Sequence, residues 1–162
     1  MTIGDFVPAF SLILTAMGTF AGWIWQKHQE RKSVTVAIVA EVRALHQIAI
    51  ERNYLNDLDE CAVGLEALPE GKRPFHKFAV PGSQDYARVF TANLTKLGYL
   101  KPEDAASVVR FYQYIESVLI DVREGGVLHS GSDDPASFTK AAAILRKAFA
   151  EAEAISARYP TS

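Results

Sequence analysis

The feature that most constrains this chain is a run of 21 residues, Phe6 to Gln26, without a charged side chain. An α-helix rises about 1.5 Å per residue, so this run spans roughly 30 Å, the thickness of the hydrocarbon core of a bilayer. A core helix of a soluble protein usually has a polar face, which this run lacks. Pro8 falls in the first turn, where a helix tolerates proline. The sequence therefore predicts a transmembrane helix.

A cleaved secretory signal is the alternative for an apolar segment near the N-terminus. Such signals begin with a basic stretch, have a shorter apolar core of roughly 7 to 15 residues and end at a small-x-small cleavage site. Met1 to Asp5 contains no Lys or Arg, and the segment from Gly22 to Trp25 places two tryptophans where cleavage would occur. An uncleaved anchor fits this pattern better.

Charged residues define a direction for the span. The basic residues that follow it are Lys27, Arg31 and Lys32. The preceding segment has only Asp5 and the terminal amine. Because Lys and Arg beside a span stay in the cytoplasm, we expect an outside N-terminus and a cytoplasmic C-terminal domain, in a bacterial inner membrane. Trp23 and Trp25 then lie at the inner headgroup level. Cys61 is the single cysteine, as expected in a reducing compartment.

Small residues form one stripe along the predicted span. The stripe consists of Ser11, Thr15, Gly18 and Gly22. Gly18-x-x-x-Gly22 is the small-xxx-small pattern that lets two helix backbones approach closely. Glycine is also frequent in membrane helices for other reasons. The stripe therefore leaves two alternatives open: a chance arrangement, or association with other transmembrane helices or with further copies of this chain.

Residues 33–162 have the length and the periodicity of one all-α domain behind an anchor at residues 1–32. Apolar residues recur at helical spacing from Ser33 to about Leu68, which predicts one long amphipathic helix. No Pro or Gly separates it from Trp23, so the span is free to continue into it, although the β-branched residues at 34–36 also allow a bend.

Capping and stop signals predict the remaining helices. They run from Ser83 to about Leu97, from Pro102 to about Glu124, and from Asp134 to about Tyr159. Three prolines and two glycines at residues 69–82 predict a long loop. The sequence thus predicts an all-α protein in which one N-terminal transmembrane helix leads into a cytoplasmic bundle of about four helices.

The sequence contains little that indicates chemistry. The nearest metal-ligand candidates, Glu41, His46 and Glu51, are five residues apart and fall on changing helix faces, so we expect no metal and no cofactor. Phosphate-binding loops and nucleophile elbows are absent from the sequence. The net charge of −2 argues against a nucleic-acid partner. We predict no catalytic residue.

Two charged patches and one aromatic set are candidates for contact with partners. The patches are the acidic residues Asp57, Asp59 and Glu60 and the basic residues Lys72, Arg73 and Lys77. The aromatic set is Tyr86, Phe90, Tyr99, Phe111, Tyr112 and Tyr114. Solvated charges and core aromatics are the ordinary interpretation, and a groove is the alternative.

Taken together, these patterns predict a single-pass, membrane-anchored helical interaction protein, a subunit or scaffold of an assembly with protein partners on the cytoplasmic side and the lipid bilayer around its anchor. A membrane effector or pore-forming regulator that oligomerises through the transmembrane helix is the first alternative. A small membrane-bound enzyme is the second.

Overall fold

The computed structural model describes residues 6–80 and 86–160, with the backbone alone for residues 6–18 and 21. Within these residues the chain forms six α-helices, two 3₁₀ turns and no strand, which confirms the predicted all-α fold. The helices are α1 (Phe6–Glu51), α2 (Tyr54–Glu66), α3 (Arg88–Ala92), α4 (Pro102–Val122), α5 (Val127–Ser130) and α6 (Pro135–Arg158). The 3₁₀ turns are Glu70–Lys72 and Leu94–Tyr99.

Helix α1 is continuous over 46 residues. At 1.5 Å per residue it is about 69 Å long. The apolar run and the first helix of the bundle are therefore one element, and the β-branched residues at 34–36 do not interrupt it. This continuity follows from the absence of Pro and Gly between Trp23 and Glu51.

The prediction of one helix from Ser33 to Leu68 is wrong, because the chain breaks between α1 and α2. Asn53 adopts the left-handed conformation, with φ of 58° and ψ of 20°. Asparagine tolerates this region better than other non-glycine residues, since its side chain is short and polar. After this break, α2 forms a separate helix that packs on α6.

The predicted helix from Ser83 to Leu97 is also wrong in its extent. Ser83 lies outside the described residues, and the helix that follows covers only Arg88–Ala92 before the 3₁₀ turn Leu94–Tyr99. Asn93 ends α3 because its side-chain amide donates to the Val89 carbonyl at 2.8 Å. Such local bonds compete with helix propagation. The four long elements of the bundle are thus the second half of α1, α2, α4 and α6.

The starts of α4 and α6 follow the predicted signals. Pro102 occupies the first turn of α4 with two acidic residues behind it. Asp134 caps α6, since its carboxylate accepts from the Ala136 amide at 3.0 Å. Between them, Gly126 makes a turn so tight that a Cβ would lie 2.2 Å from the Ile120 carbonyl oxygen. The predicted polar connector at 125–133 contains the short helix α5, which buries Leu128.

Two clusters of buried side chains hold the bundle together. The first joins α1, α4 and α6 and includes Val34, Ile38, Val42, Val108, Phe111 and Ile155. The second joins α2, α4 and α6 and includes Leu58, Leu65, Val122, Phe138 and Leu145. Helix α4 therefore runs in the direction of α1, and α6 runs opposite to both. The first cluster lies at the end of the bundle nearer the apolar run, and the second lies at the far end.

Candidate functional site

Four large apolar side chains of α1 are exposed just before its first cationic residue. Phe20 is 62 % exposed, Trp23 54 %, Ile24 49 % and Trp25 65 %. At 100° per residue they spread over roughly 200° of the helix circumference. Side chains of this size are seldom left uncovered as a group in a soluble monomer, because each forfeits about 1.5–3 kcal/mol of burial free energy. This part of α1 therefore carries an apolar surface that no described part of the chain covers.

Among the residues whose side chains are described, the stretch Gly22–Glu51 of α1 is long and apolar enough to cross a membrane. Of its most apolar window, 28 % is buried inside the protein. Val34, Ile38 and Val42 account for part of that burial, since they belong to the first core cluster. The later part of α1 is thus apolar because it packs in the bundle, whereas the part before Lys27 exposes its apolar side chains.

The predicted packing stripe lies mostly outside the described side chains. Ser11, Thr15 and Gly18 have a described backbone only. Gly22 is exposed, and a Cβ added there would have open space within 4 Å. Its face is therefore accessible to another helix, and helix association through the stripe stays a prediction.

The basic residues after the apolar run lie on the surface, and Tyr99, from a distant part of the chain, contacts one of them. Lys27, Arg31 and Lys32 are all exposed. Lys27 places its ammonium 4.9 Å from the centroid of the Trp23 ring, and Arg31 lies 5.5 Å from the centroid of the Tyr99 ring. The interface residues predicted from sequence are therefore clustered on one short segment of α1.

Glu30 links that segment to residues 94–101, which we call the 94–101 turn. Lys96 Nζ lies 2.7 Å from Glu30 Oε1, and the Tyr99 hydroxyl donates to Glu30 Oε2 at 3.4 Å. The hydrogen bond from Lys96 lowers the pKa of Glu30, and the same contact raises the pKa of Lys96. Both groups stay charged over the physiological range, so the turn is fixed beside the start of the bundle.

Glu41 has a structural role that spacing in the sequence did not reveal. Its carboxylate accepts from the Val89 amide at 2.8 Å, from the Phe90 amide at 2.9 Å and from the Tyr112 hydroxyl at 2.6 Å. The first amides of a helix lack partners within it, and α3 begins after Ala87, which offers no side-chain cap. Glu41 therefore caps α3 from another helix.

Tyr112 is buried on the other side of this carboxylate. Burial raises its pKa, and the hydrogen bond to Glu41 raises it further, so the phenol stays protonated and donates. Its ring stacks on Phe90 with centroids 4.0 Å apart. The metal candidates are separated here, because His46 instead packs edge-on against Phe149, and Glu51 accepts from Gln47.

Arg43, half a turn from Glu41, caps the other end of a helix. Its guanidinium donates to the carbonyl oxygens of Ser156, in the last turn of α6, and of Tyr159, the residue that follows the helix. The Tyr159 hydroxyl then donates to Asp104 at 2.5 Å. Burial, with the bond to Asp104, raises the pKa of Tyr159 to about 12.

Asp104 is buried in the first turn of α4, where it also forms an ion pair with Arg158 at 2.6 Å. A buried carboxylate without partners would be costly, and these contacts compensate it. The polar side chains near the middle of α1 thus fix the register of α3, α4 and α6.

A cleft opens between α1, α3 and α4 beside these polar side chains. Its volume is about 580 Å³, and Phe90, Tyr112 and Arg123 are among its walls. Leu45, Tyr86 and Ile115 are among the residues that also line a smaller apolar cavity of about 180 Å³, which reaches α2 and α6. Arg123 lies 5.0 Å from the centroid of the Tyr86 ring. The cavities border Val80 and Tyr86, between which residues 81–85 lie outside the described part of the chain.

The aromatic set therefore divides between the two interpretations. Phe111 is buried in the first core cluster, as expected for a core residue, whereas Tyr112 is buried in the same cluster and also forms part of the cleft wall. Tyr86 and Phe90 are half-buried and line the cleft. The dense spacing identified the aromatic residues but not which of them faces the cleft.

The predicted charged patches lie at the far end of the bundle, away from the apolar run. Asp59 forms an ion pair with Arg146 of α6, and Arg73 donates to the Leu68 carbonyl at 3.1 Å. The other members, Asp57, Glu60, Lys72 and Lys77, occupy the same end. The basic patch is held there because His76 pairs with Ser132 in an isolated antiparallel bridge. A partner at these patches stays a prediction.

Comparison with protein-family models, with curated proteins and with solved structures finds no match to this chain. Among the described residues, no three His, Cys, Asp or Glu side chains are grouped so that they could hold a metal ion. Functional inference for this chain therefore starts from its own surface.

Proposed function

We propose that this protein is a single-pass, membrane-anchored helical interaction protein, a subunit or scaffold of a membrane-associated assembly. In this proposal the first part of α1 spans the bilayer with its N-terminus outside, and the bundle lies in the cytoplasm of a bacterial cell. The observation that carries it is the change of surface along one unbroken helix. The side chains of Phe20, Trp23, Ile24 and Trp25 are exposed and apolar, while Ile38 and Val42 of the same helix lie fully buried in the bundle core.

The polar side chains of the bundle support a binding role over a catalytic one. Asp104 is buried, Glu41 and Arg43 are half-buried, and each bonds to a helix terminus or to a residue on a neighbouring helix. They act as connectors of the fold. What the bundle offers to other molecules is shape and surface charge, held at a fixed distance from the membrane.

The membrane part of the proposal is tested by washing membranes that contain the full chain with alkaline carbonate. An integral protein stays in the membrane pellet, and release into the wash would contradict the proposal. Orientation is tested in a Cys61→Ser background with single cysteines introduced by Thr2→Cys or Val63→Cys. A membrane-impermeant maleimide should label the first in intact cells and the second only after permeabilisation.

The assembly part is tested by the mass of the particle extracted in nanodiscs. We expect a mass above that of one chain, either from further copies or from a stably bound protein. A monomer without partner at every expression level would refute the scaffold role. Gly22→Leu, with Gly22→Ala as its matched control, tests whether the assembly forms through the anchor, since association through that helix is sensitive to the larger side chain.

A further inference from the structure

We propose that the 94–101 turn binds the headgroups of anionic phospholipids and gives the bundle a second contact with the bilayer. The inference rests on the proposed function, in which α1 spans the membrane. The contact comes from residues some seventy positions after the span in sequence. It belongs to the bundle and not to the anchor, so it fixes how the bundle sits on the membrane surface.

Depth is the first reason. Lys96 contacts Glu30 at 2.7 Å, and Glu30 lies four residues beyond Gln26, the last residue of the uncharged run. Four residues of helix advance about 6 Å. The headgroup layer is roughly 5 to 8 Å thick on each side of the hydrocarbon core. The Lys96 ammonium is therefore placed at the depth of lipid phosphates when the run spans the core.

Charge is the second reason. The segments 27–32 and 94–103 carry five cations, Lys27, Arg31, Lys32, Lys96 and Lys101, against the carboxylates Glu30 and Glu103. Their net charge is +3, whereas the whole chain carries −2. The positive excess is concentrated at the end of the bundle that meets the bilayer, and the negative excess lies elsewhere. Anionic lipid attracts such an end, with each cation contributing about a fivefold change in binding.

The shape of the turn is the third reason. Leu94 leaves 48 % of its surface exposed in the same turn as Lys96, and Lys101 is exposed two residues after Tyr99. An apolar side chain close to lysines suits the boundary between headgroups and acyl chains, where the apolar side chain inserts and the ammonium groups stay with the phosphates. Leu100, a residue of the same turn, is buried in the first core cluster, so the turn is fixed to the bundle.

The experiment places an environment-sensitive fluorophore on the turn of the full chain. Thr95→Cys, at an exposed position beside Leu94, carries the probe in a Cys61→Ser background, and the protein is reconstituted in vesicles of phosphatidylcholine or of phosphatidylcholine with phosphatidylglycerol. We expect a blue shift, and quenching by lipids with a spin label near the headgroup, in the anionic vesicles. Raising the salt to about 1 M shortens the screening length to about 3 Å and should reverse part of the shift.

Charge variants test whether these lysines are responsible. Lys96→Gln with Lys101→Gln should lower the ratio of docked to undocked turn roughly 30-fold in anionic vesicles. The matched control, Lys72→Gln with Lys77→Gln, removes the same charge from the far end of the bundle and should change nothing. Circular dichroism checks that each variant is folded. Where a variant does not fold, the response of the probe to anionic lipid and to salt, in the chain that keeps its lysines, still tests the proposal.

The outcomes separate this inference from the proposed function. If the chain is released by carbonate, the proposed span fails and the inference fails with it. If the chain stays integrated while the probe responds neither to anionic lipid nor to salt, only the inference is overturned. A probe shifted equally in both vesicle types, or shifted only when another protein is added, would likewise overturn it.

Discussion

Replacing Glu41 tests the central connection of the bundle. Its carboxylate accepts three hydrogen bonds, from the amides of Val89 and Phe90 and from the Tyr112 hydroxyl. Hydrogen bonds to a charged group contribute about 1.5–3 kcal/mol each, and water can replace part of this at a half-buried site. Counting about 1–1.5 kcal/mol for each bond, Glu41→Ala should cost about 3–5 kcal/mol of unfolding free energy. That is a large share of the roughly 5–15 kcal/mol typical of a domain.

Glu41→Gln isolates the acceptor geometry from the size of the side chain. The amide keeps one oxygen but turns an NH₂ group toward a backbone N–H or the Tyr112 hydroxyl, so we expect a loss of about 1–2 kcal/mol. Tyr112→Phe removes one donor and should cost about 1 kcal/mol. Because both changes act on one cluster, their effects should not add in the double variant.

The assay is urea unfolding of the full chain in detergent micelles, followed by far-UV circular dichroism. Hydrogen exchange at the Val89 and Phe90 amides gives a local readout, and both should exchange faster in Glu41→Ala. The control is Glu51→Gln on the same helix, which should change the stability by less than about 0.5 kcal/mol. The cap would be refuted if Glu41→Ala unfolded at the same urea concentration as this control, with unchanged exchange at the two amides.

Three further predictions use the same unfolding assay. Gly126→Ala should lower the unfolding free energy by about 2 kcal/mol or more, because its Cβ would lie 2.2 Å from a carbonyl oxygen. Gly64→Ala should raise it by about 0.5–1 kcal/mol, because the Cβ there meets open space, and equal effects of the two variants would refute this reasoning. Asn53→Ala should cost about 1 kcal/mol and Asn53→Gly should not, since φ there is 58°, and a harmless Ala would contradict the left-handed break. Burial lowers the pKa of His46 below its ordinary value of 6.5, so stability should be full above pH 6.5 and fall as the pH drops toward the lowered pKa. His46→Leu should flatten this pH dependence, and an unchanged profile in that variant would exclude His46 as its source.

Much of the fold was readable in the sequence because its signals are local. The start signals, Pro102 in the first turn of α4 and the cap Asp134 before α6, act within one turn of the helices that they start, so both starts were predicted correctly. The missed features depend on contacts between distant residues. Asn53 stood in an unbroken helical pattern, and only the packing of α2 on α6 makes its left-handed conformation favourable.

The site was less predictable than the fold for the same reason. The choice of Trp23, Lys27 and Arg31 as interface residues follows from local composition; all three are exposed on α1, and their place at a membrane interface stays a prediction. The pairing of Glu30 with Lys96 joins residues 66 positions apart, which no periodicity encodes. Glu41 was noticed for its spacing to His46, whereas its partners lie on α3 and α4. An acidic residue among apolar neighbours on a core helix was the available signal.

The unbroken α1 has a mechanical consequence. Between Gln26 and Glu51 it contains neither proline nor glycine, so there is no hinge at which the anchor and the bundle could move independently. This stretch is about 37 Å long, so tilting the anchor by about 10° displaces its far end by about 6 Å. Glu41 and Arg43 belong to this stretch and bond directly to the ends of α3 and α6. In the proposed function, in which the apolar run spans the bilayer, a change in the tilt of that run therefore reaches the bundle as a rigid rotation.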